Sequence, residues 1–287
     1  MIKAEVAGVT SEDAHRSGPR RSGRRPAHDP RVPALSFRLL GPLELLLSGC
    51  PVKLSQRVHR VALATLILSA NQVVSVSALI DAIWQEESED RRVNNLHYHI
   101  SRIRSYLRAH EPGRSAPRII TTPPGYRFVA DTGERDVDAF TELAGSARDA
   151  SAAGRPGDSA VLYRQALALW RGPALADVRS ANPWLGAEAE RLDLLRLEAL
   201  EERLAADLAC RAHSGVVGEL ISLVAQNPRR ERLRCQLMVA LYRCGRQVEA
   251  LEVYASHAAT LRDELGLYPG PALQRVRQCI LTQELEV

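Results

Sequence analysis

The stretch from residue 91 to residue 130 constrains this chain more than any other. Val93, Leu96, Ile100, Ile103 and Leu107 recur at spacings of 3, 4, 3 and 4, the period that lines apolar side chains along one face of an α-helix. A helix from Arg91 to about Ala109 is expected, with that stripe buried. At about 100° per residue the opposite face carries Arg91, Asn94, Asn95, Tyr98, Arg102 and Ser105, with His99 and Arg104 on its flanks. The next segment, RIITTPPGYRFVA, holds two β-rich tetrads around Pro123, Pro124 and Gly125, the pattern of a hairpin with a turn at its tip.

The elements before this helix complete a small domain. From Phe37 the chain reads as short strands, with FRLLGPLELLL interrupted at Gly41-Pro42, a turn at SGC and a brief strand at PVKL. The run from Gln56 to about Ala70 is apolar on nearly every side, as a central helix must be. After an Asn71-Gln72 turn, Ser75 is placed to cap a second helix carrying Leu79, Ile80, Ile83 and Trp84. An acidic loop, QEESED, follows it. Sheet, three helices and closing hairpin together spell a winged helix over residues 34–131.

Residues 136–287 read as helices only, separated by Gly and Pro breaks such as Gly154, Pro156, Pro183, Asn227-Pro228, Gly245 and Pro269-Gly270-Pro271. Two helices joined at Arg243-Cys244-Gly245-Arg246 resemble a tetratricopeptide unit. The fold class expected is therefore mainly α: an α+β winged helix-turn-helix followed by an all-α, tetratricopeptide-like domain. At 287 residues the chain is long enough for two domains with separate cores.

Charge separates the two parts. Residues 31–130 hold 13 Lys and Arg against 7 Asp and Glu, a balance of +6, whereas residues 131–287 hold 19 against 23, a balance of −4. A basic part beside an acidic part suits a chain whose first half alone meets a polyanion. Of its 38 basic residues only Lys3 and Lys53 are lysines, a bias that GC-rich coding produces too, so arginine abundance by itself argues little. Residues 1–33 are polar and rich in Arg, Ser, Gly and Pro, and are expected to form a disordered basic extension.

Other chemistries find no support in the residues. Five cysteines without CxxC spacing suggest neither a disulfide framework nor a zinc site. His97 and His99, two apart on a helix, diverge too far to share a metal. There is no GxxxxGK[ST], HExxH or GxSxG motif. No catalytic residue, metal or cofactor is expected. No run approaches the ~18 apolar residues of a membrane span, so a cytoplasmic, nucleoid-associated protein is expected.

A polar helix face followed by a wing suits the major groove of B-DNA, where amide and guanidinium side chains read base edges. The same face could also be simply solvated, and an activator cannot be told from a repressor by these residues. A helical half working as an adaptor for a peptide or small effector is a further alternative.

The residues resemble a known family over about Leu35 to Leu281. FRLLGPLEL, ANQVVSVSALIDAIW, NNLHYHISRIRSYL, PPGYRF, ALALWRGPALADV, RLRCQLMVALYRCGRQVEALEVY and DELGLYPGPALQRVRQCIL, in this order, are similar to the AfsR/SARP-type regulators (Streptomyces antibiotic regulatory proteins). The resemblance implies an OmpR-like winged helix and a bacterial transcriptional activation domain. It also implies an activator of biosynthetic, often antibiotic, genes that binds direct repeats near the −35 element as a homodimer or tandem protomers. Recruitment of RNA polymerase holoenzyme through its sigma factor is implied as well.

Carried over by position, Asn94, Asn95, Tyr98, His99, Arg102 and Arg104 look like the recognition surface, and Arg91 on the same polar face joins them as a candidate DNA contact. Thr122, Tyr126 and Arg127 belong to the hairpin side of the DNA contact, with Arg127 as the wing residue in the minor groove. Arg57 and Arg60 would touch phosphates. The loop Trp84, Gln85, Glu86, Glu87, Glu89 and Asp90 looks like the polymerase-contacting loop. The family usually has Lys-Gln-Arg where this chain has Val58, His59 and Arg60, which puts one phosphate contact in doubt.

Overall fold

The computed structural model describes residues 35–84 and 89–284, with residues 89–92 described at the backbone only. The extension expected over residues 1–33 lies outside the described residues. Strands β1 (Leu35–Arg38), β2 (Glu44–Leu47) and β3 (Cys50–Val52) form an antiparallel sheet in that order. Ser48 and Gly49 connect β2 to β3 with φ of 48° and 82°, the positive values that let a two-residue turn follow the twist of its strands.

Helix α1 (Arg57–Leu68) is buried without a break from Val61 to Ile67, as its uniform hydrophobicity predicts for a central helix. A short strand that the sequence did not announce, β4 (Val73–Ser75), leads into α2 (Val76–Ile83). Ser75 caps α2, its Oγ accepting the Ala78 N–H at 3.1 Å. Helix α3 spans Glu89–His110. Strands β5 (Ile119–Thr122) and β6 (Gly125–Phe128) close the wing, and β6 lies between β4 and β5 in a second antiparallel sheet. Gly125 pairs with both Ser75 and Thr122, and a Cβ there would stand 1.9 Å from the Val74 carbonyl oxygen. Only glycine allows this approach of backbones.

Among the described residues the second half is built of helices, α4 (Asp136–Ala152), α5 (Pro156–Ala168), α6 (Pro183–Ala209), α7 (His213–Gln226), α8 (Glu231–Arg243), α9 (Gln247–Leu265) and α10 (Pro271–Thr282), with a non-helical connection over residues 169–182 between α5 and α6. Helix α6 opens with Asn182, whose side chain accepts the Leu185 N–H, followed by Pro183 at the first helical position. None of these helices is long and apolar enough to cross a membrane.

Two hydrophobic cores are present, but they do not divide where the sequence suggests. The first runs from Leu35 and Phe37 through α1, α3 and Phe128 into Phe140, Tyr163, Trp170, Leu175 and Leu185, ending at Ala199. The second begins at Leu204 and joins α6 to α10. The winged helix therefore shares its interior with α4, α5 and the first half of α6, a correction to the expectation of separate cores.

Backbone groups of the β1–β2 connection are satisfied by the second half of the chain. Asp136 accepts the N–H groups of Leu39 and Leu40 at 2.8 to 3.0 Å, and Asp177 accepts that of Leu43 at 2.7 Å. Arg171 and Leu175 donate their N–H groups to the carbonyls of Leu40 and Leu39. Buried amides need such partners, and here their partners lie about 100 residues or more away in sequence.

Candidate nucleic-acid interface

Helix α3 is held from beneath. Leu96, Ile100, Ile103 and Leu107 are at most 2% exposed, and Val93 packs against the same core. The burial follows the 3-4-3-4 stripe. Above it Asn94, Asn95, His97, Tyr98, Ser101, Arg102, Ser105 and Arg108 are exposed, Tyr98 at 61%. Such a helix presents polar side chains from a rigid base, because its rotation is fixed by the buried stripe. Ser101 and Arg108 were not among the expected contacts; Arg108 falls in the last turn, where a cation is favoured by the helix dipole.

The flanking residues behave differently from the face. His99 is half-buried, with Nδ1 3.1 Å from Nε2 of buried His59 on α1. Its ring also lies 5.8 Å from Trp84 and 5.4 Å from Tyr98. Burial holds both histidines below the ordinary imidazole range, and for His59 the nearby His99 and Arg102 add to the effect. Arg104 turns to the wing: its Nε donates to the Ile119 carbonyl at 2.9 Å and its Nη2 to Thr121 Oγ1 at 2.8 Å. Its guanidinium also lies over the Tyr126 ring, 5.5 Å from the centroid.

The wing alternates as a strand should. Tyr126 and Phe128 are buried on one face and Arg127 between them is exposed. Arg127 is thus free to reach outward, whereas Thr122 is half-buried. Tyr126, expected to face DNA, is instead 4% exposed beneath Arg104 and beside His97. The alternation of GYRF carried the signal that would have separated it from Arg127.

A buried cluster fixes the wing against α3. Arg118 donates from Nε and Nη2 to Glu111, just beyond the helix, at 2.7 and 2.5 Å. It donates from Nη1 and Nη2 to Glu134 at 2.5 and 2.6 Å, and from Nη1 to the Val129 carbonyl. Those hydrogen bonds outweigh the cost of burial and push the guanidinium above the usual arginine range.

Of the two expected phosphate ligands on α1, Arg57 is exposed. Arg60 is not free: it is ion-paired with Asp177 of the helical half and donates to the Leu43 carbonyl. Part of its charge is thus already met by Asp177, so a phosphate contact by Arg60 would compete with that pair, which qualifies the simpler expectation. Trp84, expected to open the polymerase loop, is half-buried against His99 and the core. Gln85, Glu86 and Glu87 lie outside the described residues. Glu89 and Asp90 belong to the first turn of α3 and not to a loop, a position that favours acidic residues. For Arg91 only the backbone, within α3, is described. Among the described residues no group of three or more His, Cys, Asp or Glu could hold a metal.

Comparison with known proteins agrees with this architecture. The family described as "Transcriptional regulatory protein, C terminal" matches residues 49–128, and "Bacterial transcriptional activator domain" matches residues 135–281. Regulatory protein AfsR of Streptomyces coelicolor is 38% identical over 258 residues, which cover 89% of this chain and 25% of that protein. The chain thus spans about a quarter of that relative. Regulatory protein DnrI of Streptomyces peucetius is 36% identical, with 86% of this chain and 92% of that protein covered. A solved structure of Mycobacterium tuberculosis EmbR in complex with a low-affinity phosphopeptide is similar at a TM-score of 0.81 and 33% identity, covering 87% of this chain and 65% of that one.

Proposed function

Because the chain belongs to the SARP family of transcriptional regulators, with an OmpR-like winged helix and a bacterial transcriptional activator domain, we propose that it is a sequence-specific activator reading promoter DNA with α3. Asn94, Asn95, Tyr98 and Arg102 face the major groove in this reading, with Arg127 in the adjacent minor groove and Arg57 on a phosphate. His99 and Arg104 act at one remove, the first by seating α3 on α1 and the second by tying α3 to the wing. The operator consists of direct repeats near the −35 element, occupied by side-by-side protomers. The segment Trp84 to Asp90 and the helical half meet RNA polymerase holoenzyme and its sigma factor. The genes controlled belong to a secondary-metabolite pathway, as the family's name suggests. No catalytic role is part of this reading.

One observation carries it: the polar face of α3 stands exposed over a stripe anchored by buried Leu96, Ile100, Ile103 and Leu107. A good bidentate side-chain contact discriminates bases by about 1–3 kcal/mol. Asn95→Ala and Arg102→Ala together are expected to weaken binding to the promoter at least ~30-fold, since 1.4 kcal/mol is tenfold. A mobility-shift titration on upstream sequences of the neighbouring genes checks this. An unchanged shift would remove α3 from the DNA interface.

A further inference from the structure

Three arginines are buried among the described residues: Arg118, Arg203 and Arg234. The first two are each locked by two carboxylates, Glu111 and Glu134 for Arg118, Asp207 and Glu219 for Arg203. Arg234 on α8 is 9% exposed, and no described carboxylate lies within ion-pairing distance. Its Nη1 is buried with no hydrogen-bond partner at all. Glu231, one turn earlier and the carboxylate whose charge acts on Arg234, is already engaged. It accepts the Gly270 N–H at 3.0 Å and pairs with His257 Nε2 at 3.2 Å. A cation withdrawn from water without a counter-charge is strongly unfavourable, and burial pulls the Arg234 guanidinium below the usual arginine range against the opposing pull of Glu231.

The surroundings show what would complete it. Arg234 lines a groove of about 360 Å³ formed by α7, α8 and α9, within the ~300–1,000 Å³ typical of small-molecule sites. Half of its other lining residues are apolar, Ile221 and Val224 from α7, Leu237 and Leu241 from α8 and Val253 from α9; the other half, all on α9, are polar and include the carboxylates of Glu249 and Glu252. Ile221 is 49% exposed toward it, an aliphatic surface left in water. Glu249, at one edge, is held by Arg246 at 2.5 and 2.7 Å, so it does not serve Arg234.

We propose that this groove binds a small amphipathic carboxylate, its carboxyl group paired with Arg234 and its hydrocarbon body lying on Ile221, Val224 and Val253. A planar guanidinium matches a carboxylate bidentately, and the aliphatic walls suit a chain of several carbons. An ammonium or a neutral alcohol of equal length lacks the charge that Arg234 needs. The site would let the helical half sense an organic acid, independently of how α3 meets DNA.

Titration of the full chain with octanoate, octanol and octylamine by calorimetry and thermal shift tests this. Octanoate is expected to bind saturably and raise the melting temperature, and the other two are not. Arg234→Met should weaken octanoate at least tenfold. Without ligand its melting temperature should equal or exceed that of the parent, because the substitution removes an unpaired buried charge. Ile221→Glu, at a half-exposed position, should weaken octanoate as well by placing a like charge on the wall. Absence of saturable octanoate binding to the parent would overturn the proposal, as would equal affinity in Arg234→Met. Equal binding of octanol would overturn it too, since the guanidinium would then have no part. A mobility shift retained by Arg234→Met keeps the outcome separate from the DNA-binding reading.

Discussion

His59 on α1 and His99 on α3 meet ring nitrogen to ring nitrogen, 3.1 Å apart, so one must donate and the other accept. This contact makes the seating of the candidate recognition helix depend on pH. Both imidazoles are held below the value of 6.5 that each would have in the unfolded chain, mainly by burial. The unfolded chain therefore takes up protons first as the solution is acidified. The stability contributed is present above about pH 6.5 and is lost as pH falls through the lowered folded values. His213 and His257 are lowered as well, so the parent alone does not isolate the pair. His59→Gln, which replaces one ring by an amide, is expected to lose less melting temperature than the parent between about pH 7.5 and pH 5.5. Parallel unfolding curves at both pH values would remove the pair as the cause.

Arg60 and Asp177 predict how DNA affinity responds to salt. Each phosphate neutralised steepens the slope of log K against log salt by about 0.9. With Arg60 already paired to Asp177, Arg60→Ala is expected to leave the slope unchanged. Asp177→Asn keeps an oxygen to accept the Leu43 N–H and removes the charge that holds Arg60. Its slope should steepen by about 0.9, one phosphate's worth. A shallower slope for Arg60→Ala would mean that the pair opens on DNA.

Much of this is legible in the sequence, for reasons that can be assigned to residues. The α3 stripe repeats over four turns, and Ser75 lies directly before an apolar helix, so both are local signals. Strand β4 has three residues and exists because β6, some 50 positions later, pairs with it. No window around Val73 holds that information. The same holds for Asp136 and Asp177, whose acceptors serve amides 96 to 134 residues away. Arg102 and Arg104 show the limit within the site itself. They are two positions apart, yet one stays exposed and the other is spent on Ile119 and Thr121, because only the second reaches the wing.

The Arg118 cluster predicts a large and specific loss. Removing the guanidinium leaves Glu111 and Glu134, which are 8% and 5% exposed, as buried carboxylates without their cation. Breaking such a group by deleting one partner costs about 3–5 kcal/mol. Arg118→Met is expected to lower the urea midpoint accordingly. Replacing Arg118, Glu111 and Glu134 together by Met, Leu and Gln should recover most of that loss, since no unpaired charge remains. Equal midpoints for the single and triple variants would assign the effect to lost packing instead.

Where the chain can be cut follows from its cores and not from its family boundaries. A fragment ending at Asp131 would keep every element of the winged helix. It would lose Phe140, Trp170, Leu175 and Leu185 from the shared interior, where each large apolar side chain buried contributes about 1.5–3 kcal/mol. It would also leave the amides of Leu39, Leu40 and Leu43 without Asp136 and Asp177, the Ala82 carbonyl without Asn182, and Arg118 without Glu134. These losses together are comparable with the about 5–15 kcal/mol by which an ordinary domain is stable. A fragment of residues 35–131 is expected to lack a cooperative unfolding transition. One of residues 35–199 keeps the first core to its last member and should unfold cooperatively by circular dichroism and calorimetry. If the shorter fragment melts as sharply as the longer one, the shared interior is dispensable and the winged helix is an independent folding unit.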